Sequence, residues 1–211
     1  MGREQRADIG RGMDRTPGEK WRRGKNVGHW YGFAADFVTR HLGRGPGRCL
    51  VIGSPEDEVA RIKALGWDVT YLDVRRPPFE KDVAYVAGDA SKMPFADAEF
   101  DALSSTCVLT HVGTGRYGDA VEEDGDILAL AEMARCMKPG AKATIMPGGY
   151  YDGENVVLLS KAHRIYSPRE VTEMMVNAGL EELAREVYLR GKELSRNPKA
   201  EDYVSVLVRK C

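Results

Sequence analysis

Short apolar runs alternate with segments of helical periodicity along most of this chain. Seven runs predict strands, at residues 48–53, 68–73, 83–89, 100–106, 142–146, 182–189 and 202–208. Apolar residues at helical spacing predict helices over residues 30–42, 54–66, 127–138 and 168–177. Strands that alternate with helices form a mostly parallel sheet, because each crossover helix packs its apolar stripe against a face of that sheet. We therefore predict an α/β fold: a doubly wound, mostly parallel seven-stranded sheet with helices on both faces.

Polar or flexible residues stand at the carboxyl ends of the first three predicted strands. Gly53 and Ser54 follow the first strand, Asp73 ends the second and Asp89 ends the third. In a doubly wound sheet the ligand binds beyond these ends, where the strand order reverses. An ionised carboxylate accepts hydrogen bonds from two vicinal ribose hydroxyls, which suits Asp73, and Asp89 can accept one from the exocyclic amine of adenine. The sequence therefore predicts a nucleoside site at this edge.

The segment HVGTGRYGD, residues 111–119, follows the fourth predicted strand and contains more special residues than a turn needs. His111 can act as a general base, because an imidazole is mostly neutral at pH 7. Arg116 offers a planar fork of donors for a carboxylate or a phosphate. Tyr117 can shape the pocket, and Asp119 can orient His111 or Arg116. The alternative is a purely structural loop, in which Asp119 caps the next helix.

A second motif, HRIY at residues 163–166, precedes Ser167 and Pro168, a favourable start for a helix. We predict that it lies in a loop folded over the same edge of the sheet. His163 is then an alternative base. A metal held by both histidines and Asp119 is a further alternative, but the spacing matches no ligand pattern, so we predict no metal site. Residues 148–153 either line a substrate pocket or form a turn.

Charge and composition exclude several classes of partner. The chain has 211 residues, of which 43% are apolar and 30% charged, and its net charge of −1 gives no general attraction to nucleic acid or to acidic membranes. Residues 1–48 hold 11 basic and 5 acidic residues, whereas the remainder holds 20 basic and 27 acidic residues. We predict a solvated basic arm over residues 1–26 and one domain over residues 27–211. Contact of the arm with an anionic substrate or partner is the alternative.

The cysteines and the N-terminus indicate the compartment. The four cysteines contain no C-x-x-C pair and no metal-like spacing, which argues against disulfides and zinc; they are Cys49, Cys107, Cys136 and Cys211. The N-terminus has no apolar signal region, and no apolar run approaches about 18 residues. We expect a cytoplasmic protein that acts on a small molecule. The sequence leaves the oligomeric state open.

Five motifs in order are YLDVR, GDASKMPF, FDALSSTCVLTHV, MKPGAKATIMP and HRIYSPREVTEMMVNAGLE. This order resembles the class I S-adenosylmethionine-dependent methyltransferases over residues 48–208. The pairing of HVGTGRYGD with AHRIYS is similar to a little-characterised branch of that superfamily. The resemblance implies S-adenosylmethionine as cofactor, with its ribose on Asp73, its adenine near Asp89 and Ala90, and its methionine part near Gly53. The full set of cofactor-binding residues we expect is Gly53, Ser54, Asp73, Val74, Asp89, Ala90 and Thr106.

The resemblance also implies methyl transfer to an oxygen or nitrogen of a small polar molecule, of which an anion is one candidate. The catalytic residues we expect are His111, Arg116, Tyr117, Asp119 and His163. One departure is the segment at residues 53–58, Gly-Ser-Pro-Glu-Asp-Glu, where the superfamily has a motif close to Gly-x-Gly-x-Gly. Its acids would repel the diphosphate of NAD or FAD, although they can simply complement the dipole of their helix. The departure leaves three alternatives on this fold: lyase or cyclisation chemistry on the cofactor, loss of methyl transfer, and a non-catalytic binding module.

Overall fold

The computed structural model describes residues 7–8, 28–75, 83–153, 157–159, 163–189, 196 and 202–211. The expected basic arm, residues 1–26, lies outside the described residues except for residues 7–8. Within the described part of the chain, no helix is long and apolar enough to cross a membrane.

The described residues form four helices and eleven strands. The helices are α1 (Gly28–His41), α2 (Glu56–Ala64), α3 (Gly125–Cys136) and α4 (Pro168–Asn177). The strands are β1 (Ala7–Asp8), β2 (Arg48–Ile52), β3 (Asp68–Asp73), β4 (Ala84–Ala87), β5 (Phe100–Thr106), β6 (Met137–Met146), β7 (Gly149–Tyr150), β8 (Val157–Leu159), β9 (His163–Tyr166), β10 (Leu180–Tyr188) and β11 (Asp202–Lys210).

The sheet has the order β1-β8-β9-β7-β11-β6-β5-β2-β3-β4, and β10 pairs with β11. Strands β2 to β6 run parallel to one another, whereas β11 runs antiparallel to both β6 and β10. The chain passes outward from β2 through β3 to β4 and returns on the other side of β2 as β5. This reversal of strand order leaves a crevice at the carboxyl ends of β2 and β5. All seven predicted strands are present, and the doubly wound α/β prediction is confirmed. The predicted number of strands is wrong, because the short strands β1, β7, β8 and β9 extend the sheet beyond β11 to eleven strands.

Strand β2 is buried on both faces, which explains its continuous apolar run. Cys49 and Val51 pack in one core with α1 and α2, whereas Leu50 and Ile52 pack in the other core with α3 and α4. Successive side chains of a strand point to opposite faces, so a strand covered on both sides needs an apolar residue at every position. Helices on both faces follow from the same pattern.

The end of the third predicted helix is wrong. We predict a helix over residues 127–138 closed by Pro139 and Gly140, but α3 ends at Cys136 and β6 begins at Met137. Pro139 cannot continue a helix, because it lacks an N–H group and its ring clashes with the preceding turn. A register shift in the β5–β6 pairing, between Phe100 and Ala102, accommodates these residues, and Gly140 takes a φ of 78° there.

Candidate active site

Two adjoining clefts open at the carboxyl ends of β2, β3 and β5. The first cleft, of about 550 Å³, is lined among others by Gly53, Asp73, Val74, Asp89, Ala90 and Asp119. The second cleft, of about 800 Å³, is lined among others by Tyr31, Thr106, Arg116, His163 and Tyr203. Both clefts share Gly53, Arg75, Cys107, His111 and Tyr117. The fold thus brings eleven of the twelve predicted site residues to one crevice.

Ser54 is the exception. It is buried, and its hydroxyl donates to the Ile52 carbonyl at 3.3 Å instead of facing a cleft. The predicted start of the second helix at residue 54 is also wrong, because α2 begins at Glu56 with Pro55 as the flanking residue and no side-chain cap. Ser54 therefore stabilises the turn that follows β2, and neither of the two clefts includes it.

The turn after β2 requires glycine at its first position. Gly53 has a φ of 58°, and an added Cβ would lie 2.6 Å from the Val108 side chain. A residue with a side chain would meet both a left-handed backbone and a filled space. Gly53 lies at the point where both clefts meet, because it lines each of them.

The acids that follow this turn have different environments. Glu56 and Asp57 are exposed in the first turn of α2, where they complement the helix dipole. Glu58 is fully buried and accepts hydrogen bonds from the Ser104 hydroxyl at 2.7 Å and from the Thr106 hydroxyl at 2.6 Å. Burial raises the pKa of the Glu58 carboxyl. Thr106 lines the second cleft, so the buried Glu58 carboxylate orients the hydroxyl of a cleft residue from the protein interior.

We expect the stability of the protein to fall as pH rises above the usual carboxyl range, in part through Glu58. Its pKa is raised on folding, so the folded state binds more protons there than the unfolded state, and stability is lost as pH increases through that window. Glu58→Gln should remove this part of the decline, since an amide does not titrate. Urea unfolding between pH 4 and 8 measures it, with exposed Glu56→Gln as control; parallel pH profiles for all three proteins would contradict the role.

The two predicted cofactor carboxylates are held by local contacts. Asp73 Oδ1 accepts from the backbone N–H of Arg75 at 2.8 Å, and the Arg75 Nε lies 3.5 Å from the same oxygen. Asp89 Oδ1 accepts from the backbone N–H and the hydroxyl of Ser91, both at 2.8 Å. These hydrogen bonds fix the direction of both carboxylates at the rim of the first cleft.

Asp119 organises the loop of residues 111–119. Its Oδ2 accepts from the N–H groups of Gly113 at 3.0 Å and Gly115 at 3.3 Å, and its Oδ1 accepts from that of Tyr117 at 3.0 Å. These three contacts, all with backbone N–H groups, hold the loop in its turn. The capping alternative is wrong, because α3 begins at Gly125, after Asp124.

Four side chains that line the second cleft form a row of contacts, in the order Arg75, Tyr117, His111 and His163. The guanidinium carbon of Arg75 lies 3.9 Å from the Tyr117 ring centroid, and the Tyr117 and His111 rings meet edge-to-face at 5.5 Å. The His111 and His163 rings are 5.8 Å apart, with planes at 70°. The two motifs HVGTGRYGD and HRIY therefore meet in the second cleft, although HRIY is strand β9 and not the predicted loop.

Arg164 is the structural residue that joins these motifs, and sequence reasoning gave it no role of its own. It is 2% exposed and donates to the carbonyl oxygens of Val112, Glu122 and Glu123, while Asp126 lies 3.6 Å from its Nε. Its own carbonyl accepts from the Thr110 hydroxyl at 2.6 Å. Arg164 thus fixes the loop between β5 and α3 to β9, which brings His163 to His111.

Gly113 is expected to be the least replaceable glycine of the loop. Its φ is 71°, and an added Cβ would collide with the carbonyl oxygen of Glu122; Gly118 has a φ of 86° and open space around it. Gly118→Ala should cost about 1 kcal/mol for the left-handed backbone alone, and Gly113→Ala about 2–3 kcal/mol because a backbone atom must also move. Thermal unfolding of the two variants measures the difference. Equal costs would show that the loop relaxes around the new methyl group.

The described residues contain no group of three or more His, Cys, Asp and Glu side chains that could hold a metal ion. Cys107, to which the sequence analysis assigned no role at the site, is half-buried and lines both clefts. Its φ of 58° is unusual for a residue with a side chain, and its N–H donates to the Met146 carbonyl at 2.8 Å. Strain of this kind is common at functional sites.

Comparison with known proteins agrees with this geometry. Residues 42–145, which include Gly53, Asp73, Asp89 and the loop of residues 111–119, match a family model described as a methyltransferase domain. The structure is similar to the 1,6-didemethyltoxoflavin-N1-methyltransferase of Burkholderia thailandensis, with a TM-score of 0.67 at 20% identity over 88% of this chain and 80% of that one. The chain has the class I methyltransferase fold.

The same methyltransferase fold occurs in the [4+2]-cyclase SpnF, with a TM-score of 0.66 at 15% identity over 85% of this chain and 80% of that one. A curated relative, the demethylmenaquinone methyltransferase of Renibacterium salmoninarum, is 36% identical over 86 residues, or 40% of this chain. The matched segment spans 30% of the length of that relative. The Burkholderia structure contains 1,6-didemethyltoxoflavin and S-adenosylhomocysteine.

Proposed function

We propose that this chain binds S-adenosylmethionine and transfers its methyl group to an oxygen or nitrogen of a small, anionic molecule. The observation that carries the proposal is the division of charge between the clefts. Three carboxylates, of Asp73, Asp89 and Asp119, line the first cleft. Arg75 lines both clefts; among the described residues that line the second cleft none is acidic, and Arg116 adds a second arginine there. A cationic cofactor fits beside the first set, and an anionic acceptor fits beside the second.

The first cleft suits the nucleoside part of this cofactor. Asp73 accepts from the ribose hydroxyls and Asp89 from the adenine amine, while the partly exposed side chain of Val74 packs on the base. The methionine part passes over Gly53, which lines both clefts, toward Thr106 in the second cleft. When bound, S-adenosylmethionine supplies the methyl group on a sulfonium centre.

His111 is the base in this proposal. It lines both clefts, so its imidazole stands where the nucleoside site meets the acceptor site and can take the proton from the acceptor's hydroxyl or amine. Arg116 binds the acceptor's anionic group through its planar fork of donors. His163, in the second cleft only, orients His111 or is the alternative base. The contact between these motifs supports the resemblance to the branch that pairs them.

The comparisons support the cofactor and the substrate size. The Burkholderia relative holds S-adenosylhomocysteine together with a small molecule, and the curated relatives are methyltransferases. The cyclase SpnF is the observation that favours the second candidate, cyclisation on the same fold. Mass spectrometry of the products separates the two, because methyl transfer adds about 14 mass units to an acceptor and cyclisation adds none.

Binding of S-adenosylhomocysteine, measured by calorimetry, tests the proposal. We expect saturable binding by the full chain and a Kd about 10–100-fold higher in Asp73→Asn, because hydrogen bonds to the charged carboxylate are lost. Asp68→Asn, at the opposite end of β3, is the matched control and should leave the Kd unchanged. A wild-type chain that binds neither S-adenosylmethionine nor S-adenosylhomocysteine would overturn the proposal.

A further inference from the structure

Arg75 connects the two clefts. It follows the end of β3 by two residues and lines both the first and the second cleft. Its backbone N–H and its Nε both approach Asp73 Oδ1, at 2.8 Å and 3.5 Å. The direction of the guanidinium group is therefore set in part by the carboxylate that the proposed function assigns to the ribose.

The Arg75 guanidinium group also contacts the loop of residues 111–119. Its guanidinium carbon is 3.9 Å from the Tyr117 ring centroid, whereas that of Arg116 is 5.6 Å from the same ring. The Tyr117 ring in turn packs edge-to-face on His111 at 5.5 Å. A continuous series of contacts thus leads from Asp73 through Arg75 and Tyr117 to the proposed base.

We propose that Arg75 is a positioning residue that couples cofactor binding to the orientation of His111 through the Tyr117 ring. This inference rests on the proposed function. A ribose bound at Asp73 shares that carboxylate with Arg75 and excludes water from the cleft. The cation–π contact is stronger when it is desolvated, so the Tyr117 ring is held more firmly and His111 with it. By linkage, an acceptor that needs this arrangement of His111 also tightens cofactor binding.

The test uses the imidazole NMR signals of the full chain, labelled at its four histidines, during titration with S-adenosylhomocysteine. The His111 signal should shift on saturation in the wild type, and this shift should fall at least two-fold in Arg75→Gln. Arg75→Lys should give an intermediate shift, because lysine keeps the charge but not the planar stacking group. The signal of His41, which pairs with Glu186 at 2.8 Å, serves as the internal reference.

Arg48→Gln is the matched control, since Arg48 also lies over an aromatic ring, Phe100 at 4.9 Å, and its side chain has the same 45% exposure as that of Arg75. Its His111 shift should equal that of the wild type. A double-mutant cycle tests the route: Arg75→Gln and Tyr117→Leu should have non-additive effects on the His111 shift.

Three results would count against the inference. An unchanged His111 shift in both Arg75 variants, with S-adenosylhomocysteine bound, overturns the coupling and leaves the proposed function intact. Additive effects in the cycle overturn the route through Tyr117. A wild-type chain that does not bind S-adenosylhomocysteine overturns the coupling together with the proposed function.

Discussion

Arg164→Met is expected to lower the free energy of unfolding by about 3–5 kcal/mol, the range for removing one partner of a buried ion pair. Arg164 and Asp126 have side chains 2% and 0% exposed. The variant leaves the Asp126 carboxylate buried beside the Tyr166 hydroxyl, which donates to its Oδ2 at 3.1 Å, and removes the guanidinium charge that faces it. It also leaves the carbonyls of Glu122 and Glu123 without the Arg164 donor.

Thermal and urea unfolding measure this effect. For a domain of this size the loss corresponds to a Tm lower by about 6–20 °C. Arg169→Met is the matched control: Arg169 also pairs with an acid, Glu173 at 2.6 Å, but the pair is exposed on α4, so it should cost about 0.5 kcal/mol or less. A loss below about 1 kcal/mol for Arg164→Met would show that water or a neighbouring side chain replaces the guanidinium group.

The placement of Arg164 also marks where sequence reasoning fails. Arginine is almost never fully buried, so a burial of 98% could not be predicted from the residue type. The predicted capping by Asp119 and the predicted place of Ser54 in the site are wrong for a related reason. A short polar side chain can form hydrogen bonds with several nearby backbone groups, and the group that it meets depends on where the next helix begins. The structure places these starts at Glu56, two residues later than predicted, and at Gly125, two residues earlier than predicted but six residues beyond Asp119.

The place of the candidate site, at the carboxyl ends of the parallel strands, could be predicted because it depends on strand order and not on side-chain packing. Asp73 and Asp89 end parallel strands, or follow them directly, so any doubly wound sheet brings them to one crevice. Arg75 and Cys107 could not be assigned in this way. Their contacts are with residues distant in sequence, Tyr117 for Arg75 and Met146 for Cys107, and no local pattern encodes them. The meeting of His111 with His163 was expected from the pairing of the two motifs and is confirmed.

His111→Asn is expected to lower kcat by about 10²–10⁴-fold, the usual contribution of a general base. Asparagine keeps a polar group of similar size but cannot accept a proton at neutral pH. His163→Asn should lower kcat by less than about 10-fold if His163 only orients His111. His163 lines the second cleft and not the first, whereas His111 lines both. Both variants should fold, since both side chains are only half-buried.

The measurement is transfer of the labelled methyl group of S-adenosylmethionine to small carboxylates and phosphates, at saturating cofactor and across pH 5–9. In the wild type kcat should fall at low pH, where a histidine base becomes protonated, and this acid limb should be missing from the residual activity of His111→Asn. His41→Asn, whose parent side chain pairs with Glu186 far from the clefts, should retain both kcat and the pH profile. A larger loss of kcat in His163→Asn than in His111→Asn, together with an acid limb that His111→Asn keeps, would assign the base to His163. The acid limb would then not depend on His111, and His163 is the other histidine that lines the second cleft.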